Sequence, residues 1–117
     1  MNRDELYSKV MKRVKNKDCH VSDITAKDIQ ESFMQAKGEG GVSLQLFEEM
    51  AELTERISKL LRGKIKKNDI TLLEEIADVE VSLSTFKLLV DADEEIIQYV
   101  KDIKLERILD RLRKGEE

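Results

Sequence analysis

Two stretches decide how this chain folds: Gln45-Leu46-Phe47-Glu48-Glu49-Met50-Ala51-Glu52-Leu53 and Leu73-Glu74-Glu75-Ile76-Ala77-Asp78-Val79. Three residues make about one helical turn, so Glu49 and Glu52 share a face of one helix, and Glu75 and Asp78 share a face of the next. Each acid pair flanks an apolar stripe of helical period. The first stripe is Leu46, Met50, Leu53, Ile57, Leu60 and Leu61, and the second is Leu72, Ile76, Val79, Leu83, Phe86 and Val90. Because the acids lie on the same rotational side of both stripes, an antiparallel hairpin brings four carboxylates to one seam. Such a cluster repels itself unless it takes up protons or a cation. All-oxygen ligands suit Mg²⁺, Mn²⁺ or Ca²⁺ rather than zinc, with Mg²⁺ the first choice and Mn²⁺ its substitute. Mg²⁺ keeps waters and takes up phosphates, so the pattern points to a nucleotide.

Punctuation residues set the expected boundaries around this hairpin. Ser43 stands as an N-cap, the first acid-bearing helix runs to about Arg62, and Gly63 stops it. After the polar loop Lys64–Asp69, Thr71-x-x-Glu74 reads as a capping box opening the second. Upstream, Leu6, Val10 and Val14 mark a helix from about Asp4 to Lys15. A loop follows over Asn16 to Asp23, and Thr25-x-x-Asp28 opens a short helix carrying Ile29 and Phe33 to about Lys37. Gly38-Glu39-Gly40-Gly41 reads as a flexible connection able to close over a ligand, since neither a Walker lysine nor a preceding strand makes it a phosphate loop. Downstream, Asp91-Ala92-Asp93 breaks the chain before a last helix, about Glu94 to Arg113. Its apolar positions shift phase between Ile96, Val100, Ile103 and Leu105, Ile108, Leu109, Leu112, which predicts a bend or a change of partner near Lys104.

Composition agrees with helices. The 117 residues bound a single domain, and no proline, five glycines, 39% charged and 4% aromatic residues describe an all-α chain. The domain divides into N-terminal helices and a Gly-rich loop (1–42), a metal-binding helix hairpin (43–90), and a C-terminal helix with a charged tail (91–117). The architecture expected is a bundle of four to five helices, oligomeric because the apolar stripes exceed what one small bundle covers. A net charge of -4 argues against a nucleic acid polymer as partner. No apolar run approaches the ~20 residues that span a bilayer, so no membrane is expected. The lone Cys19 fits a reducing, cytoplasmic compartment, and Cys19 beside the lone His20 cannot complete a zinc shell.

The two acidic blocks resemble the MazG-like all-α nucleoside triphosphate pyrophosphohydrolases, whose pattern is Glu-Glu-x-x-Glu followed, after a variable gap, by Glu-x-x-Asp. Both blocks match without departure. The likeness spans roughly Ser43 to Leu112, in the style of the small phage-type members. It implies a homodimer or homotetramer that splits a (deoxy)nucleoside triphosphate into monophosphate and pyrophosphate with Mg²⁺, in the service of nucleotide-pool housekeeping. By position it places Glu49, Glu52, Glu75 and Asp78 as metal ligands, and Glu48 as an outer or second-metal ligand and water activator. Lys104 and Arg107 fall where the family often carries basic residues, as phosphate contacts. The competing expectation is a non-enzymatic helical interaction module whose acids form a solvated face.

Overall fold

The computed structural model describes residues 2–17 and 21–115, and within them it is all-helical. Four helices follow in order: α1 (Arg3–Asn16), α2 (Asp23–Leu61), α3 (Ile70–Leu89) and α4 (Glu94–Arg113). Cys19 and His20 lie outside the described residues. No described helix is long and apolar enough to cross a membrane.

Among the described residues α2 and α3 form the one extensive helix–helix packing. Their contacts run in opposite chain order: Gln30 near the start of α2 bonds Thr85 late in α3, whereas Glu49 lies beside Asp78. The connection between them is closed by standard cap chemistry. Gly63, at φ 71, lets its own N–H reach Leu60 O and the Lys64 N–H reach Lys59 O, which satisfies the last carbonyls of α2. At the far end Asp69 caps α3, its Oδ1 accepting the Thr71 N–H at 2.9 Å.

Several boundaries differ from those expected. Thr71 is not the cap of α3 but its second residue, because Asp69 offers the stronger acceptor two positions earlier. Likewise Ser22, not Thr25, caps α2, with Ser22 Oγ accepting the Thr25 N–H at 3.2 Å. The largest correction concerns the glycine cluster. Instead of a connection several residues long, the break is Gly38 alone and helix resumes directly after it, so Ser43 lies inside α2 rather than at a helix start. Only Gly38 leaves the helical region, at φ 69 and ψ 178, so α2 is two helical stretches joined at a kink, the first ending at Lys37 as expected. Helical glycine costs about 1 kcal/mol against alanine, and packing offsets it: Val42, directly after the cluster, is the most buried of the described side chains at 1% exposed, with Leu46 one turn on.

The packing face of α3 is also rotated from its expected stripe. Leu72, Glu75 and Thr85 are buried, while Ile76, Leu83 and Val90 remain exposed. On α2, Met50, Ile57 and Leu61 are exposed too, Leu61 at 81%. One helix covers only one side of another, and each apolar band here is wider than its partner. α4 has no buried residue and follows its expected bounds, capped by Asp93 Oδ1 on the Ile96 N–H at 3.1 Å.

The glycine kink yields a three-way prediction. Gly38→Ala forces a side chain into a backbone region that only glycine favours, so it destabilises by about 1–3 kcal/mol even though a Cβ there meets nothing within 4 Å. Gly40→Ala, helical and in open space, stabilises by about 0.5–1 kcal/mol. Gly41→Ala loses that gain, because its Cβ would stand 2.7 Å from Lys37 Cβ. Thermal or urea melts of the three variants check the order.

Candidate metal centre

Four carboxylates from the α2–α3 seam converge. Glu49, Glu52, Glu75 and Asp78 each offer one oxygen, and these oxygens all lie within 4.8 Å of one another. The local cause is the one-turn spacing on each helix, combined with the opposed contact order that sets Glu49 beside Asp78 and Glu52 beside Glu75. Glu52 is exposed, Glu49 and Asp78 are half-buried, and Glu75 is 5% exposed, among the most buried polar side chains described.

Burial without partners makes this arrangement unusual. Glu49 Oε2 and Glu75 Oε2 are buried and accept no hydrogen bond. Such orphaned acceptors cost roughly 1–3 kcal/mol each, more when charged. The Glu75 carboxyl is pushed up to about 7, first by burial, then by a hydrogen bond shared with Glu52 and by the charges of Glu52, Asp78 and Glu49. Glu49 is raised by burial and then by Asp78 and Glu52, against a lowering hydrogen bond from Gln45 Nε2. Asp78 is raised by burial, then by Glu74 and Glu52.

These groups fit a hard divalent cation. The donors are all oxygen, and two of them have a lone pair aimed at nothing else. Ligands on opposite sides of an octahedral Mg²⁺ stand about 4.2 Å apart, so carboxylates spread over 4.8 Å need only draw in slightly around one ion, or share two.

The remaining expected site residues are not in this group. Glu48 is exposed on α2 next to Glu49, and Lys104 and Arg107 are exposed on α4. Lys104 borders an apolar groove formed along α4 by Ile96, Ile97, Val100 and Leu105.

Other residues at the centre escape a reading by spacing. Arg3, at the start of α1, donates through Nε to Glu74 Oε2 at 3.1 Å and holds Nη2 at 3.9 Å from Glu75 Oε1. A cavity of about 360 Å³ opens beside the carboxylates, with Glu49 and Asp78 in its wall. The kink in α2 lets residues on both sides of Gly38, Gln30 and Phe33 before it and Val42 and Gln45 after it, line the same space. From α3 come Val81, Ser82 and Thr85. Gln30 reaches Thr85 across 55 positions of sequence, a pairing that no local pattern marks.

No family model, curated protein or solved structure matches the chain.

The raised carboxyls give stability a definite pH dependence. Glu75 holds its proton more tightly folded than unfolded, so between about 4.5 and 7 the folded state binds more protons and stability falls as pH rises. Glu49 and Asp78 act in the same sense. In chelator the protein therefore melts several degrees lower at pH 8 than at pH 5, at roughly 4 °C per kcal/mol. Saturating Mg²⁺ or Mn²⁺, which binds the ionised form, raises the melting temperature at pH 8 and flattens the profile. Scanning calorimetry with and without metal checks both.

Proposed function

We propose that the chain hydrolyses a nucleoside triphosphate to the monophosphate and pyrophosphate, with Mg²⁺ held by Glu49, Glu52, Glu75 and Asp78. The observation that carries this reading is the pair of buried, unpartnered carboxylate oxygens inside a four-acid cluster, beside a cavity of nucleotide scale. The likeness of the acidic blocks to the MazG-like pattern supplies the reaction type.

When bound, Mg²⁺ neutralises triphosphate charge and acidifies a water. The chain's own groups do the rest. The four carboxylates keep the ion at the seam, and the exposed Glu48 accepts the proton of the attacking water. Water oxygen bonds to the α-phosphorus while the bond from that phosphorus to the bridging oxygen breaks. Pyrophosphate leaves with that oxygen. No covalent nucleophile takes part, in keeping with a chain that offers one cysteine and one histidine.

The reading includes assembly into a homodimer or homotetramer, and two magnitudes support it. The radius of gyration is 17.5 Å, against about 13 Å for a compact domain of this length. The accessible surface is 9615 Å², against about 6,500 Å² for a compact monomer of this mass. The excess matches what permanent oligomers bury. Exposed Met50, Ile57, Ile76 and Leu83, together with bare α4, are the surfaces that self-association would cover. The same bare helix favours a second reading, an interaction module without turnover.

Two measurements separate these readings. Glu52→Gln and Asp78→Asn each remove one charged ligand from a different helix at nearly constant shape. Each lowers Mg²⁺-dependent pyrophosphate release by about two orders of magnitude or more, and the double variant is little worse, because groups acting as a unit are non-additive. Glu80→Gln, exposed on α3 and turned away, leaves the rate unchanged. Near-wild-type rates in both single variants would move the balance to the interaction module. In the second measurement, sedimentation shows a concentration-independent dimer or tetramer. A stable, active monomer would contradict the assembly.

A further inference from the structure

The α2–α3 seam has an order along its length. Glu49 and Asp78 stand in the wall of the cavity, Glu52 and Glu75 come next, and Arg3 follows, reaching Glu74 and Glu75. The four carboxylates thus lie between a cavity on one side and a guanidinium on the other. Arg3 is underused where it stands. A guanidinium carries five N–H donors, and here Nε alone makes a hydrogen bond, to Glu74 Oε2 at 3.1 Å. Nη2 stays 3.9 Å from Glu75 Oε1, an ion pair without a hydrogen bond. The Nη pair, which forms the fork that matches carboxylate and phosphate oxygens, has no hydrogen-bond acceptor among the described residues. As a structural contact the pairing is weak, because the Arg3 side chain is 44% exposed and ion pairs of that kind stabilise little.

Charge balance at the seam asks for such a group. Even two divalent ions only cancel four ionised carboxylates, and a phosphate chain then brings negative charge that the cluster cannot offset. Lys104 and Arg107 sit on α4, which packs extensively on neither α2 nor α3. Among the described residues Arg3 is the only basic side chain in an ion pair with any of the four acids.

Resting on the hydrolysis reading above, we propose that Arg3 is a further catalytic residue of this site, and that its Nη fork binds the terminal phosphates that leave as pyrophosphate. A nucleotide with its nucleoside end toward the cavity runs its phosphate chain along the seam toward Arg3. Glu74 keeps the Nε side, which leaves the fork for the phosphate oxygens. Negative charge grows on the bridging oxygen as its bond to the α-phosphorus breaks, so the guanidinium holds the departing group more strongly than the intact chain.

The probe is inorganic pyrophosphate, titrated by calorimetry into the full-length chain at saturating Mg²⁺. The wild type binds it saturably, and Arg3→Gln binds it on the order of 10–100-fold more weakly. Arg3→Lys keeps the charge but loses the fork, so its affinity falls between the two, and it carries the test should Arg3→Gln not fold. Mn²⁺ binding in the absence of pyrophosphate stays within about threefold of wild type in both variants, because an exposed pair contributes little to the carboxylates. An arginine that only neutralises Glu75 gives the other pattern, in which Mn²⁺ affinity changes and pyrophosphate affinity follows it. That pattern, no saturable pyrophosphate binding by the wild type, or wild-type pyrophosphate affinity in either variant would overturn the proposal. The binding measurement needs no turnover, so its outcome is separable from that of the hydrolysis reading. Arg3-dependent pyrophosphate binding without cleavage of any nucleoside triphosphate would remove the hydrolysis and leave the phosphate site, whereas cleavage at wild-type kcat/KM in Arg3→Gln would do the reverse.

Discussion

Everything in this molecule turns on the seam where α2 and α3 bury carboxylates against one another. A small helical pair normally fills its interface with leucine and valine, yet two of the most buried positions here are Glu75 and Thr85. An ionised acid with an unpartnered buried oxygen works against folding, and Arg3 offsets it only in part, standing 3.9 Å from Glu75 and itself largely in solvent. Such an interface is consistent with a fold that gains its full stability when something positive enters it.

The same seam explains why the rest of the chain looks incomplete. With the inner face of α3 given over to Glu75, Ser82 and Thr85, part of its apolar band turns outward at Ile76, Leu83 and Val90. α1 touches the centre through Arg3 and buries nothing, and α4 is joined to the end of α3 by the Lys87–Glu94 ion pair, 3.2 Å, while its apolar residues stay bare. Polar groups buried at the seam and apolar residues left outside it are two consequences of one rotation of α3.

Much of this was legible in the residues, and the remainder fails for identifiable reasons. The all-helical class followed from composition, and the convergence of the four acids from one-turn spacing, because both are local properties. The bounds of α4 followed from Asp93 and its flanking break. The glycine cluster placed the break at Gly38 but overstated its length, because propensity cannot anticipate that Val42, buried at 1% exposed, holds helix over Gly40 and Gly41. The packing face of α3 misled because a band apolar over more than one face leaves its rotation to the partner. Arg3 beside Glu74 and Gln30 beside Thr85 are long-range pairings, 71 and 55 positions apart, and no periodicity encodes them.

The central claim, that the seam is a cation site, is met most directly by titrating Mn²⁺ into the chain and following free Mn²⁺ by electron paramagnetic resonance. The account predicts saturable binding of one or two ions per chain at pH 8, displaced by Mg²⁺ and lost in Glu75→Gln. No saturable binding up to millimolar Mn²⁺, or binding unchanged in Glu75→Gln, would contradict it.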